Sequence, residues 1–322
     1  MRAIVYRGAG GIDVVDLAEV ATPVAGPDQV LVRVRASGLN RADVIQRRGG
    51  YPAPAGWPAD IPGLEYAGEV AAVGPGVSGV EVGARVMGLV GGGAQAEYLV
   101  THRRELIPIP AGIDFEQAAA IPEAFLTAYD ALVTRGRTRD GERVLVHAVG
   151  SGVSTAAVQL ARWLGATVAG TSRTRSKLDR VAALGVSETI DTSSGGFAHR
   201  LSRPVDVILD FFGGGSLNEN LQALGPKGRL VILGTLQGGV AEKVDVARIL
   251  RGRLEVIGTV MRSRPHDERV PLVEEFIARV LPELAAGRMA PVMGAVFPMT
   301  ELAAAHAAME ANEVFGKIVL RW

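Results

Sequence analysis

The stretch that decides the fold runs from Arg143 to Gly165 and reads RVLVHAVGSGVSTAAVQLARWLG. Arg143–Ala148 is a short, largely apolar run rich in valine, which predicts a strand buried on both faces. A turn of small residues, Gly150–Gly152, follows it, and Val153–Leu164 then has the pattern of a helix that ends at Gly165. Free N–H groups and the helix dipole at such a turn favour an anion, so the stretch predicts a dinucleotide-binding unit.

The turn departs from the full G-x-G-x-x-G pattern, because Ser154 and Thr155 stand where a third glycine is sought. Loose glycine motifs recur by accident, so an ordinary βα turn without a ligand is the alternative interpretation. Other parts of the sequence are needed to decide between a dinucleotide-binding turn and an ordinary βα turn.

The composition predicts a well-packed protein of about two domains. The chain has 322 residues, of which 48% are hydrophobic and 21% charged, which argues against disorder. Lys+Arg and Asp+Glu number 34 each, so there is no electrostatic reason to expect nucleic acid or an anionic membrane as a partner. No apolar run approaches the ~18 residues of a membrane span, and the N-terminus lacks a signal-peptide core, so we expect a cytoplasmic protein.

The chain contains no cysteine, which excludes disulfides, cysteine nucleophiles and thiolate metal sites. Its five histidines show neither H-x-x-x-H nor H-E-x-x-H spacing. We therefore expect no metal centre.

The first hundred residues predict a small β barrel, because short β-branched runs alternate with glycine and proline. The runs are Ala3–Tyr6, Gln29–Ala36, Tyr66–Ala72 and Arg85–Leu89. Between them, residues 40–62 are expected to form a long irregular loop, kept ordered by Tyr51 and Trp57.

From residue 143 onward strands alternate with helices, which predicts a doubly wound parallel sheet whose ligand lies at the carboxyl ends of the strands. That rule places Gly150–Val153, Ser172–Arg173, Phe211–Gly213 and Gly234–Leu236 around one crevice.

The two ends of the chain are expected to fold together. A lone terminal strand, Lys317–Leu320, needs a sheet to join, so we assign it to the N-terminal domain. The predicted domains are residues 1–122 with 266–322, and residues 123–265. Leu254–Met261 is apolar and late in the sheet, so it is expected to be an edge strand, and edge strands favour homodimers.

The second strand of the sheet predicts the cofactor. NAD sites have a carboxylate about 20 residues beyond the glycine turn, whereas Ser172, Arg173, Arg175 and Lys177 stand here. Cations at a helix N-terminus oppose the macrodipole at a cost of roughly 0.3–1 kcal/mol each, and a 2′-phosphate would offset that cost. NADP is therefore predicted over NAD, with a solvated basic turn as the alternative.

The polar candidates on the N-terminal side are Asn40, Asp43 and Tyr51, with Thr127 farther along the chain. Tyr51 is a possible proton donor to a substrate oxygen, or it simply packs the loop. Asp43 lies near two arginines, Arg41 and Arg47, so a salt-bridged carboxylate is its alternative role.

Six segments spread over the whole chain resemble zinc-free medium-chain dehydrogenase/reductases of the quinone oxidoreductase type, most of all the tumour-suppressor-inducible NADPH quinone oxidoreductase subgroup. The segments are Gly38–Pro54, Ile61–Val70, Ala118–Leu132, Val144–Arg162, Val260–Pro265 and Met309–Leu320. The resemblance implies an α/β protein in which a GroES-like β-barrel catalytic domain accompanies a Rossmann domain. The zinc branch has a Cys ligand at the place of Asn40 and a His at the place of Leu64, whereas Glu65 is retained.

The same resemblance implies that Asn40, Tyr51 and Thr127 line the nicotinamide and substrate site. It also implies that the glycine turn holds the pyrophosphate and that Ser172 and Lys177 meet the 2′-phosphate. Together with the crevice residues, the candidate cofactor-binding set comprises Gly150, Ser151, Gly152, Val153, Ser172, Arg173, Lys177, Gly234, Thr235, Met261, Arg262 and Lys317.

Two positions depart from the family pattern. Ser154 replaces a common glycine, so its hydroxyl must either point away from the phosphates or bind one. Asp191 or Thr192 stands where many members carry a tyrosine at the adenosine phosphate end.

These features predict a homodimeric, metal-free reductase that transfers a hydride from NADPH to a quinone or another conjugated carbonyl compound. One alternative is a 2-enoyl or 2-alkenal reductase, which reduces a carbon–carbon double bond. The other is an NADPH-binding redox sensor, or a structural or RNA-associated protein, with little turnover.

Overall fold

The computed structural model describes residues 1–322, which form two compact units. The terminal unit consists of Met1–Leu126 and Met261–Trp322, and the central unit of Thr127–Val260. Both ends of the chain therefore lie in one unit. The predicted domain boundaries, 122/123 and 265/266, lie four residues before and five residues after those of the structure.

Fifteen strands form the sheets of the two units. They are β1 (Arg2–Tyr6), β2 (Val15–Glu19), β3 (Gln29–Leu39), β4 (Glu65–Val73), β5 (Arg85–Leu89), β6 (Tyr98–His102), β7 (Ile107–Pro108), β8 (Arg143–Val146), β9 (Thr167–Ser172), β10 (Glu188–Asp191), β11 (Val205–Asp210), β12 (Leu224–Ile232), β13 (Glu255–Gly258), β14 (Met293–Pro298) and β15 (Lys317–Arg321).

Ten α-helices accompany the strands. They are α1 (Arg41–Arg47), α2 (Phe115–Ala119), α3 (Pro122–Tyr129), α4 (Gly152–Trp163), α5 (Arg175–Ala182), α6 (Leu217–Ala223), α7 (Val246–Gly252), α8 (His266–Arg279), α9 (Leu281–Ala285) and α10 (Leu302–Ala311). None of the helices is long and apolar enough to cross a membrane.

The terminal unit contains a seven-stranded sheet in the order β14-β15-β3-β4-β5-β7, with β6 also paired to β3, and a separate β1–β2 hairpin. In β3, Val30, Val32 and Val34 are buried on one face while Arg33 is exposed, as the two-residue period of a strand requires. The closing strand β15 runs antiparallel to β3, with Ile318 opposite Leu39. This confirms that the last strand completes a sheet begun by the N-terminal residues.

Several elements of the terminal unit differ from the sequence prediction. The supposedly irregular stretch 40–62 begins with helix α1, because Asn40 and Asp43 form a capping box at its start. The spacing N-x-x-D was the signal for that helix. The unit also contains strands β2, β6, β7 and β14, which were not predicted.

The central unit is a six-stranded parallel sheet in the order β10-β9-β8-β11-β12-β13. The doubly wound fold is thus confirmed, and β13 is the edge strand that the sequence predicted at Leu254–Met261. Helix α7 was not predicted. Residues of β8 and β11 are almost wholly buried because helices cover both faces of a parallel sheet.

One end of this sheet carries the glycine turn. Helix α4 begins one residue earlier than predicted, at Gly152, and Gly165 follows its end with a φ of +81°. A side chain at Gly165 would also collide with the carboxylate of Asp140, 2.0 Å from an added Cβ. Glycine is therefore required at this C-terminal cap.

Candidate cofactor and substrate sites

The turn after β8 is built from a strained backbone. Ala148 has a φ of +45°, a left-handed conformation that costs a non-glycine residue roughly 1–2 kcal/mol. Two backbone bonds hold it: Ser151 N donates to Ala148 O at 2.8 Å, and Val149 N donates to Thr171 O at 2.9 Å. Ser151 then caps α4, with its Oγ accepting from Ser154 N at 3.3 Å. The first-turn N–H groups of Gly152 and Val153 have no helical acceptor and suit an anion.

The side chain of Ser154 points into the protein. Its Oγ donates to the His147 carbonyl at 2.9 Å and accepts from Ser151 Oγ at 2.8 Å, and the residue is completely buried. Of the two orientations that the sequence left open, the structure has the one that points away from a bound phosphate. Ser154 therefore takes the place of a glycine without obstructing the turn.

A buried chain of polar side chains supports the strand ends, and sequence reasoning missed it. The His147 ring nitrogens lie 2.8 Å from Thr171 Oγ1 and 2.7 Å from Asn220 Oδ1. Asn220 Nδ2 donates to Ser216 Oγ at 3.2 Å, and Ser216 Oγ donates to Asp210 Oδ1 at 3.0 Å. Burial lowers the pKa of His147, so the imidazole is neutral. A polar residue inside an apolar strand was the available signal.

The end of β9 carries the residues predicted to meet a 2′-phosphate. Ser172 is buried, and its Oγ accepts from Thr174 N at 3.0 Å, which leaves its hydroxyl hydrogen available. Arg173 is exposed, and Lys177 is half-buried on the first turn of α5. Arg175 forms an ion pair with Asp179 at 3.0 Å. One of the three predicted cations is therefore already paired within α5.

A carboxylate lies beside this basic turn. Asp191, at the end of β10, is in register with Ser172 of β9. Residues in register on adjacent parallel strands lie ~4.8 Å apart and point to the same face. Hydrogen bonds from Ser193 and the positive charges of Arg175 and Arg200 lower the pKa of Asp191, so it is an anion at neutral pH. This negative charge opposes a 2′-phosphate at the same place.

The loops after β11 and β12, which were predicted to border the crevice, contact each other. Leu236 N donates to Phe211 O at 3.0 Å, and Gln237 N donates to Phe212 O at 2.8 Å, so the loops after β11 and β12 are joined. Gly234 begins the second loop, where an added Cβ would lie 3.1 Å from the Phe211 carbonyl oxygen. Thr235 follows in the same loop. Thr127 lies half-buried in α3.

In the terminal unit, Lys317 lies at the centre of a cluster of oxygen atoms. Its Nζ donates to Asn40 Oδ1 at 2.8 Å, to Leu39 O at 3.3 Å and to the carboxylate of Glu65. The side chains of Lys317 and Glu65 are 4% and 0% exposed. Lys317, predicted to be near the cofactor, is thus an internal cation bound to three oxygens.

The amide of Asn40 is engaged inside the same cluster. Its Nδ2 donates to Glu65 Oε1 at 2.9 Å and to Gly38 O at 3.3 Å, while its Oδ1 accepts from Lys317. Both amide hydrogens are used, so the side chain has no hydrogen left to donate to a ligand. Asn40 is therefore held in one fixed orientation.

Glu65 joins this cluster to helix α3. Its second oxygen, Oε2, accepts from the backbone N–H of Glu123 at 2.8 Å, in the first turn of α3. A Cβ added to Gly38 would lie 2.2 Å from Glu65 Oε1. Glycine at position 38 is therefore needed to make room for the buried carboxylate.

Asp43 is buried, but it is not paired with the nearby arginines. Its carboxylate accepts from the backbone N–H groups of Asn40 at 2.8 Å and of Gly63 at 3.1 Å. Burial raises its pKa to about 6, and these backbone hydrogen bonds act in the opposite direction. Arg41 and Arg47 instead contact α10, so a salt bridge from either of them to Asp43 is wrong. Asp43 serves to fix the start of α1.

Tyr51 is held by Arg262, another residue expected near the cofactor. Arg262 NH1 donates to Tyr51 O at 2.9 Å, and its guanidinium lies 5.0 Å from the centre of the tyrosine ring. Its other nitrogens donate to Gly91 O and Gln46 Oε1, each at 2.7 Å. Burial raises the pKa of Tyr51, so its phenol keeps its proton. The structure thus places Arg262, with its buried neighbour Met261, in the terminal unit.

Comparison with known proteins gives the family. Residues 26–111 match the family model of the alcohol dehydrogenase GroES-like domain, and residues 152–279 match that of the zinc-binding dehydrogenases. A quinone oxidoreductase from Lama guanicoe is 31% identical over 99% of this chain and 97% of its own length. The chain belongs to the quinone oxidoreductase family of medium-chain dehydrogenase/reductases.

Two further proteins are similar to almost the whole of this chain. The quinone oxidoreductase of Thermus thermophilus, solved alone and in complex with NADPH, superposes with a TM-score of 0.85 at 34% identity over the full length of both chains. The polyketide synthase system protein NorB of Streptomyces orinoci is 38% identical over 97% of this chain, which spans 14% of that protein. The chain is thus similar over its full length to an enzyme that has been solved in complex with NADPH.

One matching family model is named for zinc binding, but this chain has no cluster of zinc ligands. No three His, Cys, Asp or Glu side chains converge in a way that could hold a metal ion. Asn40 is bonded to Lys317 where the zinc branch has its cysteine ligand.

Proposed function

We propose that the protein is an NADPH-dependent, metal-free quinone reductase. The observation that carries the proposal is the buried ammonium group of Lys317, which donates hydrogen bonds to the side-chain oxygens of Asn40 and Glu65. In the zinc-dependent branch, the position of Asn40 bears a metal ligand. A fixed internal cation at this place supports a reaction that needs no Lewis acid, such as reduction of a quinone, whose product spreads its charge over a conjugated ring.

The glycine turn of the central unit suits the pyrophosphate of a dinucleotide. The N–H groups of Gly152 and Val153 would donate to it, with Gly150 and Ser151 shaping the turn. Ser172, Arg173 and Lys177 would hold the 2′-phosphate, and Gly234 and Thr235 would border the nicotinamide half. When bound, NADPH supplies the hydride. The complex of the Thermus relative with NADPH supports this choice of cofactor.

The acceptor would be bound by the terminal unit. The phenol of Tyr51 keeps its proton, so it can donate a hydrogen bond, and then the proton, to the quinone oxygen that gains negative charge. Asn40, held in one orientation by Lys317 and Glu65, would form part of the wall of the acceptor site. Thr127, the third residue that the family resemblance implies for this site, is the first residue of the central unit.

A second candidate function is reduction of a carbon–carbon double bond conjugated to a carbonyl group. The similarity to NorB favours it, because this chain matches one segment of a polyketide synthase protein. The same donors would then stabilise an enolate oxygen rather than a quinol oxygen.

Turnover measurements separate these functions. NADPH oxidation is followed optically with 1,4-benzoquinone and with a 2-alkenal under identical conditions, and NADPH binding is measured by calorimetry. Faster turnover of the quinone supports the first proposal, and faster turnover of the alkenal supports the second. Tight NADPH binding with neither acceptor reduced would overturn both and favour a redox sensor.

We also propose that the protein is a homodimer that pairs along β13. This edge strand and its surroundings expose apolar side chains: Val246 is 67%, Leu250 76% and Val256 42% exposed. A second copy would cover them and satisfy the open strand edge. Light scattering of the parent protein should give twice the mass of one chain, and a monomeric mass at micromolar concentration would refute the proposal.

A further inference from the structure

A cavity in the terminal unit lies among residues that take no part in the proposed reaction. Its volume is about 650 Å³, within the range of roughly 300–1,000 Å³ that small-molecule sites occupy. One wall is the loop 9–12, another is the end of α1 with Arg47 and Arg48, and the third is the face of α10 with Ala303, Ala307 and Glu310. The cavity is therefore open to a small molecule and independent of the glycine turn.

Positive charge dominates the polar lining of this cavity. Arg47 NH2 donates to Glu310 Oε1 at 2.9 Å, and Arg48 NH2 binds the same oxygen. Two guanidinium groups thus share one carboxylate oxygen, which leaves a net charge of +1 on the lining. The other oxygen of Glu310 receives no arginine bond in either pair.

The buried guanidinium of Arg47 is incompletely satisfied. The residue is 2% exposed, its NH1 lies 2.9 Å from His306 Nδ1, and its Nε has no hydrogen-bond partner in the chain. An unmet donor on a buried cation is costly, because a desolvated polar group loses its hydrogen bonds to water. The Nε is withdrawn from solvent, so Arg47 contributes positive charge to the cavity rather than a free donor.

The rest of the lining is small and apolar. Ala9 and Ile12 contribute one side, and Ala303 and Ala307 the opposite side, with glycines 10 and 11 between them. Gly10 N donates to Arg47 O at 2.9 Å, which fixes the loop against the end of α1. The lining can therefore accept an apolar body next to the charged group of a ligand.

We propose that this cavity binds a small organic anion, a carboxylate or phosphate monoester on an apolar body, with Arg47 and Arg48 as its counter-charges. Arg48 has a 63% exposed side chain and can turn from Glu310 to the ligand at little cost, because exposed ion pairs are weak. The body of the ligand lies on the alanine face of α10. An inorganic ion would leave most of the cavity unfilled.

The experiment titrates the full chain by calorimetry with benzoate, phenyl phosphate, inorganic phosphate and the uncharged analogue benzamide. We expect saturable binding of benzoate or phenyl phosphate that is at least tenfold tighter than that of benzamide. The tighter of the two anions identifies the charged group. Binding of inorganic phosphate as tight as that of phenyl phosphate would refute the apolar part of the site.

Three variants test the position of the site. Arg48→Ala should weaken binding of the tighter anion at least tenfold, and Ala307→Trp should abolish it by filling the cavity without changing its charge. Arg7→Ala is the matched control, because Arg7 is exposed and paired with Asp16 outside the cavity. The proposal is overturned if neither organic anion binds saturably, or if Arg48→Ala and Ala307→Trp bind like the parent protein.

Discussion

Lys317 and Glu65 form an ion pair that is almost completely withdrawn from water, although they lie 252 positions apart in the chain. The pair holds the amide of Asn40 on one side and the N-terminal turn of α3 on the other. Removal of one partner of such a pair leaves a buried charge without compensation.

We expect Lys317→Met to destabilise the protein by about 3–5 kcal/mol, because Glu65 then keeps a buried negative charge. The double variant Lys317→Met/Glu65→Gln should recover most of that loss, since neither charge remains. Denaturant unfolding measures both. Arg35→Met, which breaks the half-exposed pair Arg35–Glu69, is the control and should cost about 0–1 kcal/mol. Equal losses in the single and double variants would contradict a buried ion pair.

Tyr51→Phe should lower turnover of the quinone by about 100-fold or more, the usual range for loss of a general acid. Its NADPH affinity should stay at the parent value, because the ring and its contact with Arg262 are retained. Steady-state kinetics and calorimetry check the two parts. Tyr98→Phe, at a half-buried position on β6, is the matched control. Unchanged turnover in Tyr51→Phe would show that Tyr51 only packs against its neighbours.

Two opposite charges, Lys177 in the first turn of α5 and Asp191 at the end of β10, should set the choice between NADPH and NADH. Lys177→Ala should weaken NADPH binding about tenfold or more, as expected for one hydrogen bond to a charged group. NADH binding should not change. Asp191→Asn should strengthen NADPH binding, because a negative charge in register with Ser172 is removed. Lys243→Ala, exposed elsewhere in the central unit, is the control. Comparable affinities for both cofactors in the parent protein would count against a 2′-phosphate site.

Ser154→Gly should reduce stability and leave cofactor affinity nearly unchanged. It removes the 2.9 Å hydrogen bond to the His147 carbonyl and adds a glycine to a helix. We estimate a loss of about 1.5–2.5 kcal/mol from the two effects together. Ser154→Ala separates them, since it loses only the hydrogen bond. A large fall in NADPH affinity without loss of stability would show that the hydroxyl binds a phosphate after all.

His306 should make the protein less stable in mild acid. It is buried beside Arg47, Glu310 and the edge of the Tyr6 ring, and burial is the main cause that lowers its pKa from 6.5 to about 4. Between pH 6.5 and about pH 4, His306 is therefore protonated in the unfolded chain but not in the folded protein. The stability present above pH 6.5 is lost as the pH falls towards 4.

We expect His306→Gln to remove this part of the acid sensitivity, which amounts to about 3 kcal/mol between the two pH values. The measurement is the free energy of unfolding from pH 7 to pH 4 in parent and variant. His199→Gln, at an exposed histidine, should follow the parent curve. A variant as acid-sensitive as the parent would mean that His306 is protonated in the folded state.

The order of strands and helices was determined by local sequence pattern. The run Arg143–Gly165 predicted a buried strand, a tight turn and a helix, and the structure has all three within one or two residues. The strand at Lys317 and the edge strand near Glu255 were also predicted. A lone terminal strand has to join an existing sheet, and a strand late in the sheet was expected at its edge. The spacing N-x-x-D before α1 carried equally local information, although the prediction missed it.

The chemistry of individual side chains was decided only by the tertiary structure. The sequence left Ser154 with two orientations and assigned Lys317 and Arg262 to the cofactor site, and the prediction missed the polar chain from His147 to Asp210. Each of these roles depends on partners brought together by sheet pairing, often from distant parts of the chain. Backbone pattern is encoded over a few residues, whereas hydrogen-bond satisfaction and burial are properties of the packed unit.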